Sequence, residues 1–186
     1  AKLNTIEGNL KKIRSQACAT DTWLRKNFTE SYDDIIYISS TSRVSNEDPT
    51  FNPIFNSAFD SSKFYKVIEA YEEEKPKNGN WLPPEKVTEK ALLAKQQYPD
   101  KKLIIHYFQP HAPYRSIPDV NSGSVYQYKK EGYSSEEINA AYDKNLNLAL
   151  NEIEEELLPQ LDYPTIITGD HGEFLGESYL WGHYVG

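Results

Sequence analysis

Three short apolar runs constrain this chain most. Asp34 to Ser39 carries Ile35, Ile36, Tyr37 and Ile38, Lys102 to Phe108 carries Leu103, Ile104 and Ile105, and Thr165 to Thr168 carries Ile166 and Ile167. β-branched runs without polar alternation suit strands covered on both faces, as parallel strands are. Helical patterns lie between them. Ser134-Ser135-Glu136-Glu137 forms a capping box. Ile138, Tyr142, Leu146, Ala149, Ile153 and Leu157 then recur at helical spacing until Pro159. Pro84 opens a second helix through Val87, Ala91, Ala94 and Tyr98, and a third runs from about Thr20 through Trp23 and Leu24 to Asn27. Alternating strands and helices predict an α/β domain with a mostly parallel sheet flanked by helices.

Two polar stretches, Thr41 to Leu82 and Arg115 to Tyr133, read as long irregular loops, lids or inserts. The 186 residues suit one domain over 1–186. With 28 acidic against 20 basic side chains and no basic cluster, nucleic acid is excluded as the main partner. No apolar run reaches the roughly eighteen residues of a transmembrane segment. The single cysteine, Cys18, rules out an internal disulfide or a cysteine metal cage. Residue 1 is Ala, Met is absent, and no signal-peptide pattern opens the chain, so the expected compartment is cytoplasmic. Asn27-Phe28-Thr29 matches a glycosylation sequon but is weak evidence for export. The abrupt ends predict a domain incomplete at both termini.

All four histidines lie in the second half of the chain, in or beside a predicted strand end. Ligands of open α/β sheets bind beyond the carboxyl ends of the strands. His106, inside its apolar run, reads as a core histidine. His111 follows in Gln109-Pro110-His111-Ala112-Pro113-Tyr114, where a rigid turn is the alternative. Asp170 and His171 stand between Gly169 and Gly172, and His183 comes twelve residues after His171. Neighbouring Asp and His side chains at a strand end can meet one cation, and a mixed oxygen and nitrogen set suits Zn, Mn or Fe. A solvated turn is the plainer reading of the pair.

The segment Thr165 to Glu177, with Gly169-Asp170-His171-Gly172-Glu173 at its centre, resembles the strand and Asp-His-Gly loop of the alkaline phosphatase superfamily, sulfatase-like branch. Leu103 to Tyr114 is similar to the matching strand and loop of archaeal sulfatase-like proteins. So are the helix through Tyr142, Asp143, Asn145 and Leu146, and Trp23 to Phe28 leading into the first strand. The resemblance implies an alkaline phosphatase-like fold holding a divalent metal (Zn, Mn or Ca) on Asp170 and His171. It places His111 against the sulfate or phosphate oxygens, and makes His183 either a further ligand or a group facing that anion. It puts the nucleophile at a helix start, where backbone N–H groups favour an oxyanion, with Thr20 and Cys18 as candidates. Thr20 is equally a good N-cap, and a lone Cys is commonly a small buried hydrophobe. Cys18-Ala19-Thr20-Asp21-Thr22 departs from Cys-x-Pro-x-Arg, so conversion of the cysteine to formylglycine is not expected. The family's first metal-binding Asp would precede residue 1.

The expected function is a metal-dependent hydrolase of phosphate or sulfate esters acting through a covalent intermediate on a small-molecule or glycan ester. The alternatives are transfer of a phosphoryl-linked head group to a glycan or lipid, and a non-catalytic module on a decayed hydrolase fold.

Overall fold

A computed structural model describes residues 6–46, 57–73, 82–120 and 122–183. Helix α1 (Thr20–Asn27) leads into strand β1 (Tyr32–Ser39). Strand β2 (Phe64–Glu69) runs into the short helix α2 (Ala70–Glu73), and helix α3 (Pro84–Gln97) precedes strand β3 (Lys102–His106). Helices α4 (Val125–Lys130) and α5 (Ser135–Glu152) follow, then a two-stranded hairpin of β4 (Phe174–Leu175) and β5 (Trp181–Gly182). The main sheet is parallel in the order β2-β1-β3.

Strand β1 is central, and its alternation explains the two cores. Ile36 and Ile38 point into one cluster with Ala70, Leu82, Ile153, Leu157 and the α3 residues Val87, Ala91 and Ala94. Tyr37 faces the opposite side with Leu24, Val44, Phe59, Phe64 and Val67. Successive side chains of a strand point to opposite faces, so an unbroken apolar run is what two covered faces require. The small alanines of α3 let that helix approach the sheet closely. A third cluster, with Tyr114, Tyr128, Ile138 and Ala141, joins the 112–120 segment to α4 and α5. The register aligns Ser39 with both Glu69 and His106, so the carboxyl ends of all three strands share one edge.

The α/β class, the parallel sheet and helices α1, α3 and α5 agree with the expectation from sequence. Both sides of the capping box form, Ser134 Oγ accepting from Glu137 N at 3.2 Å and Glu137 Oε2 accepting from Ser134 N at 2.8 Å. The buried stripe of α5 runs through Ile138, Ala141, Asn145, Ala149 and Leu150, with Tyr142 and Leu146 only partly covered. The helical path passes through a π-turn at Ile153–Leu157 and a 3₁₀ turn at Leu158–Gln160, so Pro159 falls inside its last turn.

Three expectations need correction. Thr165 to Thr168 is not a strand: it pairs with no strand among the described residues, and Ile166 is 89% exposed. An apolar run becomes a buried strand only with a ladder partner and cover on both faces, and this one has neither. Conversely, the stretch read as an irregular loop from Thr41 to Leu82 contains β2, α2 and a 3₁₀ turn at Ser61–Lys63, although 47–56 and 74–81 lie outside the described residues. Likewise Arg115 to Tyr133 contains α4, whose Val125 and Tyr128 are buried. No helix of the described residues is long and apolar enough to cross a membrane.

Candidate active site

The site is built where α1 meets the 170–173 loop. Ala19, extended at φ −154° and ψ 148°, makes no side-chain cap to α1, and Thr20 is the first helical residue. The Thr20 hydroxyl donates to Asp170 Oδ2 at 2.6 Å and lies 3.5 Å from His171 Nε2. Asp170 is fixed from two more directions. The backbone N–H of His171 donates to its Oδ1 at 2.9 Å, and Ser15 Oγ donates to its carbonyl oxygen. Asp170 Oδ2 and His171 Nε2 stand 3.6 Å apart.

His111 and His183 complete the group. The ring centroid of His183 lies 4.5 Å from that of His171 and 5.6 Å from that of His111. Phe108 packs on His111 at 4.7 Å between centroids. His111 sits between two X–Pro peptides, Gln109–Pro110 and Ala112–Pro113, both cis. Its loop is clamped by the fully buried Asn145 of α5. The Asn145 amide donates from Nδ2 to the carbonyls of His111 (3.2 Å) and Pro113 (3.1 Å), while Arg115 N–H donates to its Oδ1 at 3.2 Å.

The three imidazoles share one arrangement of their ring nitrogens. Nδ1 of His171 meets the Gly172 carbonyl at 2.9 Å, Nδ1 of His111 meets the Ala112 carbonyl at 2.5 Å, and Nδ1 of His183 meets Glu173 Oε1 at 3.0 Å. A neutral imidazole that donates from Nδ1 carries its lone pair on Nε2, the form in which histidine binds metals and accepts protons. His106 differs. It lies at the carboxyl end of β3, partly covered, and its Nδ1 meets the hydroxyl of the buried Tyr37 at 2.8 Å, the partner that a satisfied core histidine needs. A phenol hydroxyl can donate or accept, so this contact is compatible with either neutral tautomer of His106.

Among the described residues no group of three or more His, Cys, Asp or Glu side chains is placed to hold a metal ion. The donor set that does converge includes a hydroxyl. Thr20 Oγ1, Asp170 Oδ2 and His171 Nε2 are 2.6, 3.5 and 3.6 Å apart. Donors held at about 2.0–2.2 Å around a tetrahedral ion stand about 3.3–3.6 Å from one another. Two of the three separations match that spacing, and the third is the Thr20 to Asp170 hydrogen bond. His171 Nε2 therefore stands at ligand spacing from both oxygens, while the two oxygens are hydrogen-bonded to each other.

Of the residues singled out from sequence, Thr20, Asp170, His171, His183 and His111 come together. Cys18 is a free, exposed thiol, and the hydroxyl that meets Asp170 belongs to Thr20. Sequence reasoning gave no role to Glu173 or Asn145. Both are visible only through pairings, of hairpin strands for the first and of helix against loop for the second.

Burial lowers the His111 pKa below the ordinary imidazole value; the bond to Ala112 and the charge of Glu173 oppose that, and His183 and His171 reinforce it. Burial lowers His106 in the same direction, opposed by Asp170 and reinforced by His171. Burial, with the fields of Glu173, Asp143 and Asp170, pushes the Tyr142 hydroxyl up to about 12, so it stays protonated. Below the ordinary histidine pKa of about 6.5, the unfolded chain binds protons at 106 and 111 that the folded chain refuses. Metal-free protein therefore loses stability as the pH falls from about 6.5 towards the lowered folded values, and these two groups add nothing to the slope above that window. NMR titration of the rings will give midpoints under 6.5 for both; a midpoint at or above the ordinary value for either excludes it from this effect.

Compared with known proteins, the chain matches no family model, no curated protein and no solved structure.

Proposed function

We propose that the convergence of Thr20, Asp170 and His171 is the reactive centre of a hydrolase for phosphate or sulfate esters, on a partial alkaline phosphatase-like fold. The observation that carries the reading is the Thr20 hydroxyl at a helix N-terminus, 2.6 Å from a carboxylate and 3.5 Å from an imidazole nitrogen. A hydroxyl with a neighbouring acceptor at the positive end of a helix is the arrangement an oxygen nucleophile requires.

Asp170, His171 and Thr20 would hold a divalent cation (Zn, Mn or Ca), with His183 beside them. Such an ion, when bound, supplies positive charge that lowers the pKa of the hydroxyl and offsets charge on the substrate. The chain's own groups do the rest. Asp170 Oδ2 orients the Thr20 oxygen. In-line attack forms the Thr20 O–P or O–S bond as the ester O–P or O–S bond breaks; the Thr20 proton passes to Asp170 Oδ2, and the leaving alcohol takes up one proton from solvent in its place. His111 and His183 border the space beside His171, where the transferred group's oxygens would lie. Water then cleaves the Thr20 ester. The substrate is a small-molecule or glycan ester, and transfer to a glycan or lipid hydroxyl in place of water would follow the same first half-reaction.

Purified protein loaded separately with Zn²⁺, Mn²⁺ and Ca²⁺ will hold one of these ions stoichiometrically by elemental analysis. It will then hydrolyse p-nitrophenyl phosphate, bis-p-nitrophenyl phosphate or p-nitrophenyl sulfate, at a rate that chelation lowers by at least about 10³-fold. No retained ion together with no turnover of any of the three esters would remove the reading.

A further inference from the structure

The hairpin β4–β5 contributes only four ladder residues, yet it determines where His183 stands. Its register pairs Phe174 with Gly182 and Leu175 with Trp181. Extended by one residue at its open end, the same ladder sets Glu173 opposite His183, and their side chains meet there, Oε1 to Nδ1 at 3.0 Å. The hairpin is anchored rather than free. Leu175 and Trp181 pack on the cluster of Tyr114, Tyr128 and Ile138, and Gly176 N–H closes the turn on the Leu180 carbonyl at 2.9 Å. Gly176 has φ +115°, and a Cβ there would stand 3.0 Å from the Trp181 ring, so the close packing of Trp181 depends on that glycine.

Glu173 is unusual among the acidic residues of the 170–183 segment. Its side chain is only 7% exposed, against 25% for its partner His183, and His183 is the basic group it meets. A carboxylate is taken out of water only where a donor compensates it. Held in this way, His183 must present Nδ1–H to the carboxylate and keep its lone pair on Nε2, beside the rings of His171 and His111.

We propose that Glu173 is a positioning residue. Its carboxylate fixes the less common Nδ1–H tautomer of His183, so that the Nε2 lone pair of His183 joins those of His171 and His111 at the reactive centre. The proposal rests on the reading of that centre as an ester-processing site, but its physical content, a tautomer set by one carboxylate, can be measured without turnover.

Long-range ¹H–¹⁵N spectra of the imidazoles, taken on metal-free protein about two units above the ordinary histidine pKa, report which nitrogen carries each proton. In the unsubstituted protein His183 will show Nδ1–H. Glu173→Ala will shift His183 to the Nε2–H form favoured by free imidazole, whereas Glu173→Gln, which keeps an acceptor oxygen at the same reach, will retain Nδ1–H. A His183 that carries its proton on Nε2 in the unsubstituted protein overturns the proposal, even if neither variant folds. Unchanged Nδ1–H in Glu173→Ala overturns it as well. With Mn²⁺ and bis-p-nitrophenyl phosphate, Glu173→Ala will lower kcat/KM by about 10- to 100-fold, the usual effect of removing a partner that orients a site histidine, and Glu173→Gln will recover most of it. If the unsubstituted protein turns over no ester, the hydrolase reading fails while the tautomer result still decides the role of Glu173.

Discussion

Thr20→Val will leave the fold in place and remove turnover by about four to six orders of magnitude. Valine matches threonine in shape and in β-branching, so the first turn of α1 keeps its side-chain volume and its restricted χ1. What disappears is one oxygen, the atom 2.6 Å from Asp170 Oδ2 and 3.5 Å from His171 Nε2. The lost hydrogen bond costs on the order of 1–3 kcal/mol, because Asp170 remains an acceptor bound through Oδ1. Removing the proposed covalent nucleophile costs far more in rate than in stability. Rapid acid quenching of the unsubstituted protein on an activated ester will trap a phospho or sulfo adduct within Ser15 to Arg25. Fragmentation will then assign it to Thr20 rather than Cys18, since both lie in that segment. Retained turnover in Thr20→Val, or an adduct on Cys18, would transfer the role to the thiol or to water.

The largest effect on stability is expected at Asn145. Its carboxamide is 1% exposed and binds the carbonyls of His111 and Pro113 and the N–H of Arg115. Asn145→Ala leaves three backbone groups without that partner and opens a void against the loop. At about 1–3 kcal/mol for each buried group left unsatisfied, partly relieved by relaxation or entering water, the net loss is about 3–5 kcal/mol. Urea unfolding monitored by fluorescence measures it directly. His111 will also lose its fixed position, so KM for an ester will rise in whatever fraction remains folded. A loss under about 1 kcal/mol would mean that the loop holds its shape without α5.

How much of this was legible in the sequence depended on whether a residue's role is local. Ile36 and Ile38 of β1 sit in an uninterrupted apolar run because both faces of the strand are covered. Pro84 and the Ser134–Glu137 box mark helix starts by chemistry contained within one turn. Strand β2 was hidden because Phe64–Glu69 has no two-residue apolar period: buried Phe64 and Val67 stand three apart, with exposed Tyr65 and Lys66 between them. Ile166 and Ile167 show the reverse error: the residue types of a strand without a neighbouring strand to make them one. The same division runs through the site. Thr20, Asp170, His171, His111 and His183 announce themselves by chemical type at element ends. Glu173 carries no such mark, because its role arises from a hairpin register, and Asn145 meets its loop across 30 to 34 positions of chain.

The contact between Thr20 and Asp170 spans 150 residues, and Ser15 closes on the Asp170 carbonyl across 155. In a growing chain Thr20 is made early and its carboxylate partner late. At typical synthesis rates the interval is roughly 8–30 s. Within its second half α1, β1 and β3 have all been made, yet Thr20 has not met Asp170. The pairing of hydroxyl and carboxylate is thus completed by the last loop, and a nascent chain on the ribosome carries the sheet without it.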